Sequence, residues 1–245
     1  MVRKFHIGCS GFFYFHWKGR FYPEDAKPSD FFKYYQSVFD TVEINSTFYR
    51  FPKESTMKRM YKSAKEGFLF SVKMNKEITH IRKFRNIEKE LEKFYEEISV
   101  LKEKLGAVLI QLPPSIKYNE EFLRRIIDAL SPYMKFVNAI EFRHISWWNE
   151  KVYEKLRDSN LIFTSVSAKG LPDDVICTSH IGYVRFHGIS GWYKDDYSEE
   201  YLREVLRKIN SEDFEEVYVY FNNDFNAYAP KNAITFRDLC SATSL

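Results

Sequence analysis

The sequence has few of the residues that mark disulfide-rich proteins, zinc domains and nucleotide-binding loops. Its 245 residues include only three cysteines and nine glycines. Cys9, Cys177 and Cys240 are far apart, odd in number and outside any CxxC motif, which argues against a disulfide framework or a structural zinc site. No GxGxxG follows the first predicted strand and no GxxxxGKS/T loop occurs, so a Rossmann or P-loop nucleotide site has little support.

The bulk composition excludes a membrane protein and leaves a soluble globular one. No apolar run is long enough to span a bilayer, and the segment MVRKFHIG lacks the apolar region of a signal peptide, so we expect a cytoplasmic protein. Apolar residues make up 44% of the chain and charged residues 29%, and the length suits one domain over residues 1–245. The net charge of +3 is too small to indicate a nucleic-acid partner, although it is compatible with a local basic patch.

Eight short segments alternate apolar residues with polar ones. In TVEIN, for example, Val42 and Ile44 alternate with Glu43 and Asn45. Successive side chains of a strand point to opposite faces, so each segment predicts a strand with one apolar face and one face that becomes polar near its end. The predicted strands are Lys4–Ser10, Thr41–Asn45, Phe68–Lys73, Ala107–Leu112, Asn138–Arg143, Leu161–Ser167, Gly182–His187 and Glu216–Asn222.

Helical patterns lie between most of these strands. Residues that favour a helix start precede them, at Ser29, Ser55, Asn86, Asn119, Asn149 and Ser198. The segment after Asn86 predicts one long helix that Gly106 terminates. Alternating strands and helices indicate an α/β fold with a parallel sheet, and eight strands favour a closed, TIM-barrel-like (β/α)8 barrel. The connection over residues 168–181 is too short for a full helix, so the helix after strand six is expected to be short or missing.

Polar side chains at the strand ends are expected to meet at one mouth of such a barrel, where active sites lie. Charges in a half-buried tube need partners, so they should form a network. Ser10, Ser71, Ser165 and Ser167 are predicted on the same inner face. The predicted catalytic residues are Glu43, Glu141 and His187, with the two glutamates as acid–base candidates and His187 as a proton shuttle. The predicted substrate-binding residues are Asn45, Lys73, Gln111, Arg143, Trp147, Arg185, Asn222 and Asp224.

Other interpretations of these residues stay open. The network could simply stabilise the barrel, and each glutamate could be an ion-pair partner. Lys73 could form a Schiff base, although phosphate or carboxylate binding suits its cationic neighbours better. Glu43, Glu141, His187 and Asp224 could ligate a divalent metal, but HxH and HExxH spacings are absent, so no metal ligands are assigned and the cofactor stays unknown.

The loops that follow the strands carry aromatic and basic residues. Aromatic side chains occur at 12–15, Trp17, 147–148 and 192–193, and the loop after strand three supplies Lys76, His80, Arg82, Lys83 and Arg85. Aromatic residues among basic ones suit nucleic-acid bases stacked above a phosphate track, or sugar rings in a cleft. Alternatively, the aromatic residues pack as a lid and the basic ones form a solvated face.

Seven motifs resemble the DUF72 family, also called YecE-like proteins, over nearly the whole chain. They are IGCSGFFYFHWKGRFYP, FDTVEINSTFYRFP, FSVKMNKEITH, LIQLPPS, AIEFRHISWW, YVRFHG and VYFNNDFNAYAPKNA. The resemblance implies a TIM-barrel-like fold and no settled reaction. Some members have been likened to metal-dependent DNA-repair endonucleases of the same barrel shape, whose sites need several histidine and carboxylate ligands.

Together these observations predict an enzyme of the hydrolase or lyase type that uses acid–base chemistry. Its expected partner is a small anionic or phosphorylated substrate: a sugar phosphate, a nucleotide or a nucleic-acid fragment. The rival hypothesis is a non-catalytic nucleic-acid-binding protein that uses the aromatic and basic loops. No membrane partner is expected, and the oligomeric state is left open.

Overall fold

The computed structural model describes residues 4–243, and in them eight parallel strands close into a barrel in chain order. The predicted TIM-barrel-like (β/α)8 fold is therefore confirmed. The strands are β1 (Lys4–Ser10), β2 (Thr41–Ile44), β3 (Leu69–Lys73), β4 (Leu105–Gln111), β5 (Val137–Glu141), β6 (Ile162–Ala168), β7 (Ile181–Gly188) and β8 (Glu216–Phe221).

Helices separate most of the strands. They are α1 (Phe31–Val38), α2 (Ser46–Tyr49), α3 (Glu54–Ser63), α4 (Glu88–Ser99), α5 (Glu120–Leu130), α6 (Glu150–Asp158), α7 (Glu199–Ser211) and α8 (Tyr228–Thr243). The predicted caps at Asn119, Asn149 and Ser198 are confirmed, since each side chain accepts a hydrogen bond from a backbone N–H of the first turn. Of the helices in residues 4–243, none combines the length and apolar character that a membrane span requires.

Three predicted helix starts and one helix length are wrong. Ser29 lies within a 3-10 turn, Pro28–Asp30, and the N-cap of α1 is Asp30. Ser55 lies inside α3, and Asn86 has a left-handed φ of 51° one residue before the N-cap of α4. The long segment after Asn86 forms a helix only to Ser99, because a 3-10 turn at Lys102–Lys104 then leads directly into β4. The expected lack of a full helix after β6 is confirmed, since the described residues 169–180 contain turns and extended chain.

The chain divides into two compact units, each described by itself. The first comprises Met1–Glu43 with Ser165–Leu245, as far as the structure describes them, and the second comprises Ile44–Thr164. In the first unit, the β1–β2 register sets Ser10 beside Glu43, and the β7–β8 register sets Arg185 beside Tyr220. In the second unit, the β4–β5 register sets Gln111 beside Glu141. These registers align polar side chains at the ends of neighbouring strands.

The predicted inner face of β6 is wrong. Ser167 Oγ is 2.9 Å from the hydroxyl of Tyr197 and 2.7 Å from that of Tyr201, on the α7 side of the strand. Ser165 Oγ accepts a hydrogen bond from the backbone N–H of Ile176, in the following connection. Because side chains alternate along a strand, both serines belong to the outer face of the barrel wall.

Candidate functional site

Glu43 is the centre of a buried polar cluster in the first unit. The carboxylate is fully buried and accepts hydrogen bonds on both oxygens. Oε1 accepts from Ser10 Oγ at 2.7 Å and from Arg185 Nη2 at 2.6 Å, and Oε2 accepts from the Tyr183 hydroxyl at 2.7 Å. These donors satisfy the buried carboxylate, and the Arg185 guanidinium compensates its charge. The pKa of Tyr183 is raised well above its usual value, first by burial and then by the Glu43 charge, so its hydroxyl stays a donor.

His187 is oriented by two of the predicted site residues. Arg185 Nη1 lies 3.2 Å from His187 Nε2, and the Asn222 side-chain amide lies 3.2 Å from Nδ1. A guanidinium can only donate, so Nε2 acts as the acceptor and the neutral ring carries its proton on Nδ1. This assignment requires the Asn222 amide to present its oxygen to the ring. Ser10, Glu43, Tyr183, Arg185, His187 and Asn222 together form what we call the Glu43 cluster.

Asp224 joins two loops of the first unit. Its Oδ1 accepts a hydrogen bond from Trp17 Nε1 at 2.7 Å, and its Oδ2 lies 3.2 Å from His16 Nε2. Burial raises the pKa of Asp224, while the bonds to Trp17 and His16 oppose that rise. This predicted substrate-binding residue therefore has a structural role, because it fixes the loop after β1 to the loop after β8.

Lys73 lies at the end of β3 in the second unit, among groups from other segments. Its Nζ donates to Gln111 Oε1 at 2.6 Å and lies 4.4 Å above the ring centroid of Phe48. Gln111 is the register neighbour of Glu141, whose carboxylate is fully buried and accepts a hydrogen bond from Arg143 Nε. The structure therefore brings the predicted Lys73, Gln111, Glu141 and Arg143 together within this unit.

His80 extends this group, although the sequence indicated it only as part of a basic loop. It lies in a π-helical turn, Glu77–Ile81, closed by a hydrogen bond from Arg82 N to Glu77 O at 2.9 Å. The imidazole meets the Phe48 ring edge to face, with centroids 4.9 Å apart. The pKa of His80 is lowered to about 4, first by burial and then by the cationic Lys73, Arg143, Lys76 and Lys83.

These second-unit residues form the Lys73 cluster: Phe48, Lys73, Lys76, His80, Lys83, Gln111, Glu141 and Arg143. The loop after β3, which carries His80, has an unusual backbone, because Lys83, Phe84 and Asn86 all adopt positive φ, between 49° and 59°. Non-glycine residues seldom adopt this conformation, and both π-turns and such backbones concentrate at functional sites. His80 lies in the motif EITH, after the end of β3. The alternation of strand residues, which identified the other site residues, therefore does not indicate it.

Two other predicted substrate-binding residues have mainly structural contacts. Trp147 is 1% exposed, stacks on Phe142 at 4.3 Å and donates its indole N–H to the backbone oxygen of Ile116 at 2.8 Å. Its ring is therefore packed in the core and does not offer an open stacking face. Asn45 occupies the N-cap position of α2, where its backbone oxygen accepts from Phe48 N at 3.1 Å.

Two aromatic residues that follow β7 lie close to His187. The ring centroids of Trp192 and Tyr193 are 5.5 Å and 6.0 Å from that of His187. The sequence indicated them as a loop pair, and the structure brings them to a strand-end histidine. As for metal ligands, no set of three or more histidine, cysteine, aspartate or glutamate side chains within residues 4–243 is grouped closely enough to hold an ion.

The chain resembles proteins of one family along nearly its full length. The family described as a protein of unknown function, DUF72, matches residues 6–244. The UPF0759 protein YunF of Bacillus subtilis is 24% identical over 250 residues, with 86% of each chain covered. A crystal structure of a DUF72 family protein from Thermotoga maritima superposes with a TM-score of 0.88 at 32% identity, covering 98% of this chain and 100% of the other.

A second crystal structure has the same fold at lower identity. A DUF72 family protein from Enterococcus faecalis matches with a TM-score of 0.83 at 19% identity, over 97% of this chain and 95% of that one. At this identity the likeness concerns the fold alone. The family match over residues 6–244 and the relative at 32% identity lead to one conclusion: the chain belongs to the DUF72 family.

Proposed function

We propose that this protein is an enzyme that binds a small anionic substrate and acts on it by acid–base chemistry of the hydrolase or lyase type. The substrate class is a phosphorylated sugar, a nucleotide or a nucleic-acid fragment. One observation carries the anion-binding part: four cationic side chains, Lys73, Lys76, Lys83 and Arg143, act on the half-buried His80. Cations gathered around a half-buried ring create a positive potential that attracts an anion.

The hydrogen bonds of the Lys73 cluster favour this interpretation. Lys73 Nζ donates to the amide oxygen of Gln111 and lies over the Phe48 ring, which holds it at the end of β3. Arg143 pairs with Glu141 at the end of β5. A phosphate or carboxylate group bound there would accept charge-assisted hydrogen bonds from these cationic side chains.

The acid–base part concerns His187 in the first unit. The imidazole of His187 lies at the end of a strand and is held at both nitrogens by Arg185 and Asn222, which orients it as a candidate for proton transfer. Glu43 and Glu141 are each hydrogen-bonded to an arginine. In this proposal they position the arginines or accept a proton from the substrate.

Anion binding is tested by isothermal titration of the protein with inorganic pyrophosphate. Lys73→Met should weaken binding about tenfold or more, since a lost charge-assisted hydrogen bond is worth roughly 1.5–3 kcal/mol. Lys58→Met is the matched control, because Lys58 is an exposed lysine of α3 that pairs with Glu54. Equal affinities of the two variants and the unmodified protein would contradict the anion-binding part.

Turnover is tested on sugar phosphates, mononucleotides and short single-stranded oligonucleotides, with released phosphate and separated products as the readouts. His187→Asn should lower the rate by roughly 10²–10⁴-fold, the usual contribution of a general acid or base. His180→Asn serves as the control, since His180 is an exposed histidine that precedes β7. Full turnover by His187→Asn would remove His187 from the mechanism.

A second candidate function, non-catalytic nucleic-acid binding, is favoured by the side chain of Tyr49. Its ring is 68% exposed on α2, and Lys76 Nζ lies 5.9 Å from its centroid. Arg82, Lys83 and Arg85 are also exposed in the loop after β3. An open aromatic face beside several cations suits a base stacked next to its phosphate.

The two functions differ in their response to salt. Binding along a phosphate track should weaken steeply between 50 and 200 mM salt, by roughly 10³–10⁵-fold for six to ten phosphate contacts. Fluorescence anisotropy with a labelled single-stranded oligonucleotide measures the affinity at each salt concentration. If the protein binds nucleic acid, we expect this steep salt dependence and weaker binding by Tyr49→Ala. A shallow slope together with turnover of a small phosphate ester would favour the enzyme.

A further inference from the structure

We propose that His80 is a further catalytic residue of the anion-binding Lys73 cluster: a neutral imidazole in the free protein that takes up a proton, and becomes a proton donor, when a dianionic group occupies the surrounding cations. This inference rests on the proposed function, because it assumes that an anion binds there.

The position of His80 among cations carries the first step. Lys73 Nζ and the imidazole both contact the Phe48 ring, at 4.4 Å and 4.9 Å from its centroid. Lys73 comes from β3, Arg143 from the chain after β5, and Lys76 and Lys83 from the same loop as His80. These cations and the burial of the ring all oppose a positive charge on it, and they lower the pKa of His80 to about 4.

A bound dianion reverses the electrostatic part of this effect. Its negative charge offsets the cations that lower the pKa of His80 and offers an acceptor for an N–H of the ring. The imidazole then takes one proton from solvent, and no other bond is made or broken in this step. A protonated histidine next to a phosphate ester can transfer that proton to the leaving oxygen, which general acid catalysis requires.

Thr79 can accommodate both protonation states of His80. Its buried hydroxyl lies 2.8 Å from His80 Nδ1 and 3.4 Å from the backbone oxygen of Asn75. When Nδ1 is unprotonated, the hydroxyl donates to it. When Nδ1 carries a proton, the ring donates to Thr79 Oγ1 and the hydroxyl turns its proton toward Asn75, because a hydroxyl both donates and accepts.

The π-helical turn positions this ring. Its closing bond from Arg82 N to Glu77 O holds the turn, and the Arg82 side chain pairs with Glu77 at 2.9 Å and with Glu90 at 3.2 Å. Arg82 thus ties the turn to Glu90 of α4. The wide turn is a geometry that proteins adopt mostly where it has a use.

The inference is tested by nuclear magnetic resonance on the intact chain, with sulfate as the probe because it stays a dianion across the pH range. The His80 signal is assigned by its disappearance in His80→Gln, since the chain has six histidines. Its pKa is then measured in sulfate and in sodium chloride of matched ionic strength. We expect a rise of at least one pH unit in sulfate only, and a rise without sulfate in Lys73→Met but not in the control Lys58→Met.

The outcomes separate this inference from the proposed function. If backbone signals of Lys73 and Gln111 saturate with sulfate while the pKa of His80 stays constant, the inference is overturned and anion binding stands. If no signal of the cluster responds to sulfate, both the proposed anion site and the inference fail. A His80 that already titrates near pH 6.5 in the free protein overturns the inference as well.

Discussion

The Glu43 cluster and the Lys73 cluster are both built from polar side chains at strand ends, but they balance their charges differently. In the Glu43 cluster, the carboxylate and the side chain of Arg185 are at most 1% exposed and pair at 2.6 Å, and Ser10 and Tyr183 donate two further hydrogen bonds. In the Lys73 cluster, four cations act on one half-buried histidine, and Lys73 itself donates to a neutral amide.

We propose that this difference distinguishes a pair that mainly stabilises the fold, Glu43 with Arg185, from a cluster that binds an anion. Charges that are fully buried must find their partners within the protein, because an isolated buried ion costs several kcal/mol. Charges that stay partly exposed can keep an excess of one sign, which a ligand of the opposite sign can then neutralise. We therefore expect substitutions of Glu43, Tyr183 or Arg185 to change stability first, and substitutions in the Lys73 cluster to change anion affinity first.

The largest effect is expected for Glu43→Gln. It leaves the Arg185 guanidinium buried without its counter-charge, and removing one partner of a buried ion pair costs about 3–5 kcal/mol. The free energy of unfolding in urea at pH 7 measures this loss. Glu54→Gln is the matched control, because Glu54 pairs with Lys58 on the exposed surface of α3 and should change stability by no more than about 0.5 kcal/mol. Equal losses in the two variants would remove the contrast between buried and exposed charges.

The charged residues explain why most strands could be predicted from the sequence. On β2 and β7, reversing the alternation would turn Glu43, Arg185 and His187 against the apolar layer under the helices, at a cost of several kcal/mol. The structure puts both strands within one residue of the predicted bounds. On β6, both alternation phases mix apolar and hydroxyl residues, with Thr164 in one phase and Ser165 and Ser167 in the other, and a hydroxyl can be satisfied on either face. The sequence therefore could not determine which face of β6 points inward.

Local hydrogen bonds explain which helix ends could be predicted. Asn119, Asn149 and Ser198 each cap the helix that follows, through one side-chain bond within three residues. The end of α4 at Ser99 depends instead on where β4 must begin, and that is a constraint from the barrel rather than from the local sequence. Tyr183 was overlooked as a partner of Glu43 because the two are 140 residues apart in the chain, although Tyr183 shares the alternation phase of Arg185.

An intermediate effect is expected for Tyr183→Phe. The change removes one of the three donors to the Glu43 carboxylate and leaves the ring in place, and a hydrogen bond to a charged group is worth about 1.5–3 kcal/mol. Urea unfolding again measures the loss. Tyr61→Phe removes the same hydroxyl from a hydrogen bond to Glu103 in exposed surroundings, so it should show no comparable loss. If Tyr183→Phe unfolds at the same urea concentration as the unmodified protein, the Glu43 cluster does not depend on this donor.

The smallest effect is expected for His80→Gln, in the dependence of the free energy of unfolding on pH. The pKa of His80 is about 4 in the folded protein and about 6.5 in an unfolded chain. Between these values the unfolded state binds the additional proton, so stability is lost as pH falls from about 6.5 toward 4. Between pH 7 and pH 4.5, the free energy of unfolding of His80→Gln should therefore fall less than that of the unmodified protein. We expect a difference of about 1 kcal/mol, which allows for solvent screening of the half-buried ring.

The control for this pH dependence is His180→Gln, which substitutes an exposed histidine of the first unit. It should follow the unmodified protein at both pH values, because substitutions of exposed side chains usually change stability by no more than about 0.5 kcal/mol. Lys73→Met should show an intermediate loss, since it removes one of the cations that oppose protonation of His80. If His80→Gln and His180→Gln lose equal stability on acidification, the cations of the Lys73 cluster do not act on His80. The proposed difference in charge balance between the Lys73 cluster and the Glu43 cluster would then be wrong.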